Sequence, residues 1–316
     1  RFAVHNRQTL MSAADGYLRF FKAEGLAMVC ALPVYHVAGL LQAFRAISGG
    51  GPFHLIPWKV LESGVLPGVP QRAHLSLVPA QLKRLLTHPP AVAWLRKFDV
   101  VLVGGGPCPT ALIESALAEG IPLALSYGMT EAAATVAIVR PHVLAAGERQ
   151  FAELLPHISA QIRPGPGEIT LTGCSLFHGY FPENDTAAHR HHPTGDRGRL
   201  DERGRLRVLG RLDRLILCGG EKIDPAALEA AARDLGAADA AVVALPDVDF
   251  GHIAAMAYVA GEHAPDEAAF AEALRERLGP VQTPKVLRRV EALPRTVLGK
   301  VDGIALQTAL ESPPVG

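Results

Sequence analysis

The chain carries no net charge: 31 lysine and arginine residues balance 31 aspartate and glutamate residues over 316 positions. That balance argues against the extended electrostatic footprint of a nucleic-acid or anionic-membrane binder. The partners expected are small molecules, with no nucleic acid and no membrane. Long apolar runs are lacking as well. Although 49% of the residues are apolar, no stretch reaches the roughly 18–20 uncharged residues that a membrane helix needs. The opening RFAVHNRQ has no apolar signal core, so a cytoplasmic protein is expected. There are four cysteines, Cys30, Cys108, Cys174 and Cys218, with no CxxC pair. Neither a zinc knuckle nor a disulfide framework fits that spacing, and all four are expected to be reduced and structural. Lysine is scarce, at seven of the 31 basic residues. Where any cation suffices this chain supplies arginine, so a lysine inside a glycine turn, as at Lys300, hints that a compact ammonium is needed.

What is present reads as two domains, since 316 residues exceed the usual size of one hydrophobic core. Residues 15–21 belong to a helix, LAMVCALPV (26–34) to a buried strand, and residues 40–47 to a helix that GGG stops at 49–51. DVVLVGGG is a strand running into glycines, and PTALIESALAEG is a helix with Pro109 near its start. IPLALS is the next strand. Strand, helix, strand in about thirty residues predicts a parallel α/β layer, whose ligands sit beyond the carboxyl ends of the strands. After Pro156 short strands follow, HISAQIR, GEITLTG and GRLRVLGR, as in a small β subdomain. From about Asp213 the pattern is helix PAALEAAARDL, strands AAVVALP and IAAMAYVA, helix DEAAFAEALRERL and strand KVLRRV. An α+β second domain is expected there.

Three blocks put charges among glycines and turns. SYGMTE (126–131) follows the last strand of the parallel layer. Tyr127 offers an aromatic face to a base, Thr130 a hydroxyl to a phosphate and Glu131 a carboxylate to Mg²⁺; equally, the block is a strand-end turn with a capping threonine. Gly104, Gly105 and Gly106 let a planar ligand approach the backbone, or simply make a tight turn. Residues 194–224 read TGDRGRLDERGRLRVLGRLDRLILCGGEKID. In it, Asp196 suits a ribose diol and Arg211 ribose or phosphate oxygens, although both also fit surface turns. PRTVLGKVDG (294–303) holds Lys300, which in isolation is an exposed turn lysine. His36 follows a strand and reads alone as a hydrogen-bonded core residue. Arg45, in an otherwise apolar helix, must snorkel outwards or meet an anion. HRHHPTGD contains His189, His191 and His192, but no Cys or carboxylate completes a ligand spacing and the segment reads as a loop.

The order and spacing of SYGMTE, TGD…GRLD…CGGEK and PRTVLGK resemble the adenylate-forming superfamily of acyl-CoA synthetases, luciferases and peptide-synthetase adenylation domains. YGMTEAAATVA, GCSLFHGYF and the His36-then-Arg45 spacing are most similar to the o-succinylbenzoate-CoA ligases of menaquinone biosynthesis. The fold this implies is α/β, with part of a large adenylation domain (parallel α/β layer plus small β subdomain) over residues 1–212 and a small, mobile α+β C-terminal lid over 213–316. The activity it implies is ATP-dependent, Mg²⁺-assisted conversion of a carboxylic acid to acyl-AMP, then transfer to CoA. Ser126, Tyr127, Gly128, Met129, Gly104, Gly105, Gly106, Asp196 and Arg211 would contact the nucleotide. Thr130, Glu131 and Lys300 would serve adenylation, with Glu131 on the metal. His36 and Arg45 would face the acyl group, Arg45 holding the spare carboxylate of a dicarboxylic acid. Asp213 would be the hinge, and Gly219, Gly220 and Glu221 the CoA-side loop.

The alternatives left open are a ligase for another aryl or short acyl acid, and a noncatalytic nucleotide- or partner-binding relative; a homodimer is an open assembly. The superfamily's Ser/Thr/Gly-rich phosphate loop, TSGTTG-PKG in most relatives, is expected just before or across Arg1. Without it, pyrophosphate would lose its backbone amide cradle. Charge develops on the α-phosphate and the leaving pyrophosphate as the acid attacks, and removing one preorganised contact of that kind costs about 3–4 kcal/mol, or roughly 100- to 1000-fold. In the intact enzyme Lys300→Ala should therefore abolish adenylate formation and spare thioesterification of supplied acyl-AMP. Equal loss of both half-reactions would refute this division of labour.

Overall fold

The computed structural model describes residues 2–182, 191–262, 264–296 and 301–311. Two compact units divide the chain, Arg1–Val208 and Leu209–Gly316. In the first, the described residues form a seven-stranded sheet in the order Phe53–Leu55, Ala27–Cys30, Ala73–Leu77, Val100–Val103, Leu123–Met129, Ala134–Val139, Glu153–Leu154. The first five strands are parallel, and the last two pair antiparallel. The central strands are buried throughout, AMVC, AHLSL and VVLV alike, as a parallel sheet covered on both faces demands. Helix Arg7–Phe21 is started by a reciprocal cap, with Asn6 accepting from Thr9 N–H while the Thr9 side chain takes the Asn6 N–H. Helix Val37–Gly49 ends where Gly50 turns left-handed at φ +66°.

The described residues also form a two-stranded sheet of Phe2–Ala3 with Tyr180–Phe181 and a four-stranded sheet in the order Leu206–Arg211, His192–Leu200, Glu168–Gly173, Ile158–Ile162, the first of whose strands continues past Val208. The segment from His192 is thus strand, where the histidine-rich sequence reads as loop. It pairs antiparallel with Glu168–Gly173, and that long-range ladder overrides the weak strand propensity of its Pro, Gly and Asp. Cys30 and Cys218 are buried and Cys108 half-buried. Cys174 is exposed, so the expectation of four packed thiols does not hold for it.

The second unit has strands Ile216–Cys218, Glu221–Ile223, Ala237–Asp247 and Gly251–Ala260, with Val286–Arg289 parallel to the last. Helices Pro225–Asp234, Glu267–Gln282 and Gly303–Glu311 accompany them. Asp224 and Asp266 accept the first-turn N–H groups of the first two. Tyr258 and Phe270 stack at 4.2 Å, 6° from parallel, in a core with Leu228, Met256 and Leu274. No helix among the described residues is long and apolar enough to cross a membrane.

His157 is buried under the first helix, at Gly16, where a Cβ would lie 1.9 Å from Nδ1. Neither ring nitrogen makes a well-formed hydrogen bond among the described residues, and the weakest influence on the ring, the Thr135 backbone, favours its charged form. Burial, reinforced by Arg45 and Arg19, pushes its pKa down to about 4. Unfolded chains take up this proton near pH 6.5. Its contribution to stability is therefore complete above about pH 6.5 and is lost as the pH falls toward 4. Leucine fills similar space without orphan nitrogens, so His157→Leu should match or exceed wild type at pH 7 and be about 2 kcal/mol less acid-destabilised at pH 5. Urea midpoints at the two pH values measure this, and an unchanged acid slope would contradict it.

Candidate functional site

The site is built on the crossing from Leu123–Met129 to Ala134–Val139. Ser126, Tyr127, Gly128 and Met129 are themselves strand, pairing with residues 134–138, and the turn proper is the single 3₁₀ step Thr130–Ala132. This differs from a motif lying wholly in a strand-end turn, and the cause is the antiparallel partner. The two backbones approach so closely that a Cβ on residue 128 would sit 1.8 Å from the Ala134 carbonyl oxygen. Ala133 and Ala134 then take left-handed φ of 52° and 77°, a conformation costing an L-residue about 1–2 kcal/mol. Thr130 is exposed and Glu131 half-buried on this turn.

Two tyrosine hydroxyls hold the two carboxylates of the site. Tyr127 Oη donates to Asp196 Oδ2 at 2.6 Å, joining the large sheet to strand His192–Leu200. Tyr180 Oη donates to Glu131 Oε1 at 2.5 Å. His5 Nε2 lies 2.7 Å from the Thr130 carbonyl and its Nδ1 3.0 Å from Thr9 Oγ1. Burial lowers the His5 pKa, which suits a neutral ring donating through Nε2. Sequence reasoning missed both His5 and Tyr180; the only signal for the tyrosine was its place in GCSLFHGYF. The glycine run also reaches the site, because a Cβ at Gly104 would meet Ser126 Oγ at 2.2 Å. Gly105 needs its φ of +80°, whereas a Cβ at Gly106 would meet open space.

A divalent cation would find one carboxylate here, Glu131. Among the described residues no group of three or more His, Cys, Asp or Glu could hold a metal by itself. One carboxylate completed by phosphate oxygens and water is the arrangement that suits Mg²⁺ delivered with a nucleotide, so the residues present fit that ion and not a caged structural metal.

His36 and Arg45 sit at the two ends of one helix in different surroundings. His36 is the exposed N-terminal flanking residue, its ring against Tyr35 at 4.7 Å, and not a core histidine. Arg45 lies about 13 Å further along the axis and does not snorkel: it is 1% exposed. Its Cζ lies 3.6 Å over the Tyr17 ring, and Nη2 donates to Thr135 Oγ1 at 2.9 Å. Nε and Nη1 have no hydrogen-bond partner among the described residues. Burial lowers its pKa, with Tyr17 and Cys30 opposing.

In the second unit, Arg211 donates to both Asp213 oxygens, at 3.0 and 2.6 Å. Arg211 thereby holds the exposed Asp213 carboxyl below its usual range. Gly219 and Gly220, with φ of +55° and +91°, make the two-residue turn between strands Ile216–Cys218 and Glu221–Ile223, a tight hairpin of the kind that needs positive φ at both positions. Lys300 and His189 lie outside the described residues.

The AMP-binding enzyme family model matches residues 3–181, and the AMP-binding enzyme C-terminal domain model matches residues 229–300. The chain is 31% identical to a 2-succinylbenzoate–CoA ligase of Listeria monocytogenes over 92% of its own length and 63% of the relative's. It is 34% identical to a probable 2-succinylbenzoate–CoA ligase of Mycobacterium tuberculosis, over 87% and 72%. It thus spans less than two thirds of the Listeria relative's length. Among solved structures it is similar to o-succinylbenzoate CoA synthetase (MenE) from Bacillus subtilis in complex with the acyl-adenylate intermediate OSB-AMP, with TM-score 0.77 and 25% identity over 98% of this chain and 66% of that one. ATP-bound MatB from Rhodopseudomonas palustris shares the fold, with TM-score 0.81 and 24% identity over 97% and 65%. With a family model covering more than half its length and the turn, strands and paired carboxylates described above, the chain belongs to the AMP-binding enzyme family.

Proposed function

We propose that this chain carries most of an AMP-forming acid–thiol ligase, cytoplasmic in location, that uses ATP, Mg²⁺ and CoA, with 2-succinylbenzoate as its acid. A substrate carboxylate oxygen attacks the α-phosphorus of ATP, and the bond to pyrophosphate breaks. The CoA sulfur, on losing its proton, then attacks the carbonyl carbon of the acyl-AMP and AMP departs. The observation that carries this reading is the Tyr127–Asp196 hydrogen bond at 2.6 Å beside the Thr130–Glu131 turn. It brings an aromatic face, a ribose-type carboxylate, a phosphate-type hydroxyl and a metal-type carboxylate to one edge of a parallel sheet.

In this reading Tyr127 and Gly104 to Gly106 line the adenine, Asp196 and Arg211 take the ribose, and Thr130 contacts phosphate. Glu131 holds the cation, which when bound neutralises phosphate charge. Lys300 serves the first step. Movement about Asp213 exchanges it for the Gly219–Gly220 hairpin and Glu221 in the second. The relatives' named substrate has two carboxylates, and Arg45 is a buried cation with no carboxylate hydrogen-bonded to it among the described residues. Arg45 takes the carboxylate that does not react, and His36 lies at the acyl entrance.

Supplying the chain with Mg²⁺-ATP and 2-succinylbenzoate should give acid-dependent pyrophosphate release, with AMP release only after CoA is added. Pyrophosphate release that ignores the acid, or nucleotide binding by calorimetry with no turnover, would count against the ligase reading and favour a binding role. Arg45→Ala should weaken selection of the dicarboxylate over a monocarboxylate by about 30-fold, measured as the ratio of their Kd values.

A further inference from the structure

Arg45 depends for its orientation on a second pair of residues that no motif points to. Tyr17, 0% exposed on helix Arg7–Phe21, presents its ring face to the guanidinium at 3.6 Å. At the other end of the same ring, Tyr17 Oη lies 2.8 Å from Nδ1 of His74, a 3%-exposed histidine on strand Ala73–Leu77 of the large sheet. Phe21 closes this pair from the side, 4.8 Å from each ring. The ring under Arg45 is thus tethered at its hydroxyl and clamped on its flank.

We propose that Tyr17 and His74 form a positioning pair that fixes the Arg45 guanidinium as the anchor for the second carboxylate of a dicarboxylic acid. The proposal rests on the reading of Arg45 given above. The guanidinium has five N–H donors, and among the described residues only Nη2 donates to a protein acceptor, Thr135 Oγ1. Nε and Nη1 face no acceptor among the described residues. A purely structural buried arginine would spend those donors on carbonyls or a carboxylate. Here a flat aromatic face supplies attraction without taking up a donor, so the cation is held while Nε and Nη1 are left without a protein acceptor among the described residues.

The protonation states fit the same arrangement. Burial raises Tyr17 to about 12, so it remains a phenol, and lowers His74 to about 3, so it remains neutral. The 2.8 Å bond therefore joins a phenol to an uncharged imidazole. A protonated His74 would put a second cation next to Arg45, which opposes it.

The test uses the full chain and calorimetric Kd values for 2-succinylbenzoate and benzoate, with melting temperatures to confirm folding and the ¹⁵N-labelled Arg45 Nε–H resonance as a spectroscopic report. Wild type should prefer the dicarboxylate. Tyr17→Phe, which keeps the ring and loses the tether, should lower that preference about fivefold. Tyr17→Leu should lower it to the level of Arg45→Ala, with benzoate affinity unchanged. The Nε–H signal should be protected from exchange in wild type, shifted in Tyr17→Phe and lost in Tyr17→Leu. If Arg45→Ala loses the preference but both Tyr17 variants keep it, the positioning pair is overturned and the Arg45 anchor stands. If wild type shows no preference, or Arg45→Ala retains it, the anchor itself fails and the pair with it. Should Tyr17→Leu not fold, Tyr17→Phe decides.

Discussion

The close approach of Gly128 to Ala134 is the constraint on which the rest of the site depends. A parallel sheet ordinarily releases its chain into a loop at the carboxyl end of each strand, but here the chain turns straight back into an antiparallel partner. That reversal requires a residue without Cβ at 128, where a methyl carbon would lie 1.8 Å from a carbonyl oxygen. It also requires two successive left-handed alanines, Ala133 and Ala134. In exchange the turn is short, and short turns fix directions. Tyr127 lies on one side of it, Thr130 and Glu131 on it, and Thr135, the hydroxyl that meets Arg45, directly after it. Backbone strain concentrated at one such place is characteristic of functional turns.

Around that turn, polar groups are secured by partners from distant parts of the chain. Asp196 is separated from Tyr127 by 69 positions and Glu131 from Tyr180 by 49. Each carboxylate accepts from a phenol, which fixes its direction at the turn. His5 adds a third long-range tie, from the region ahead of the first helix to the Thr130 carbonyl. The turn is thus fixed from the segment ahead of the first helix, the four-stranded sheet and strand Tyr180–Phe181 at once.

The parts of this arrangement that could be read from the sequence are the local ones. VVLV, the helix after Pro109 and the strand IPLALS declare themselves by apolar runs and punctuation, and so does the helix–strand–strand–helix–strand order of the second unit. Ladders between distant segments were not legible. Nothing local in SYGM says strand, and HPTGDRGRL contains residues that disfavour one; each is strand because a partner far along the chain pairs with it. The glycines at 219 and 220 read as a loop; with positive φ at both and strands on either side they close a tight hairpin. Side-chain partnerships such as Tyr180–Glu131 and Tyr17–His74 were beyond reach for the same reason: they are facts of packing.

Arg45 is where folding energetics and function diverge. Taking a guanidinium out of water costs several kcal/mol even after relaxation. The compensations visible here are a face-on tyrosine, worth about 0.5–2 kcal/mol, and one hydrogen bond to a hydroxyl, worth about 1.5–3 kcal/mol for a charged donor. An apolar residue on that helix face, against Leu41 and Ala46, would avoid the desolvation altogether. The fold alone therefore gives no reason for a cation at this position, and the remaining donors on Nε and Nη1 make the imbalance larger. A ligand carboxylate would reverse the sign of that balance, because the desolvation has already been met in the folded state and the attraction would act at low dielectric. The same argument explains why the supporting ring must be tyrosine, tied at its hydroxyl to a neutral histidine, and not a carboxylate: an internal anion would satisfy the arginine permanently and leave it nothing to recognise.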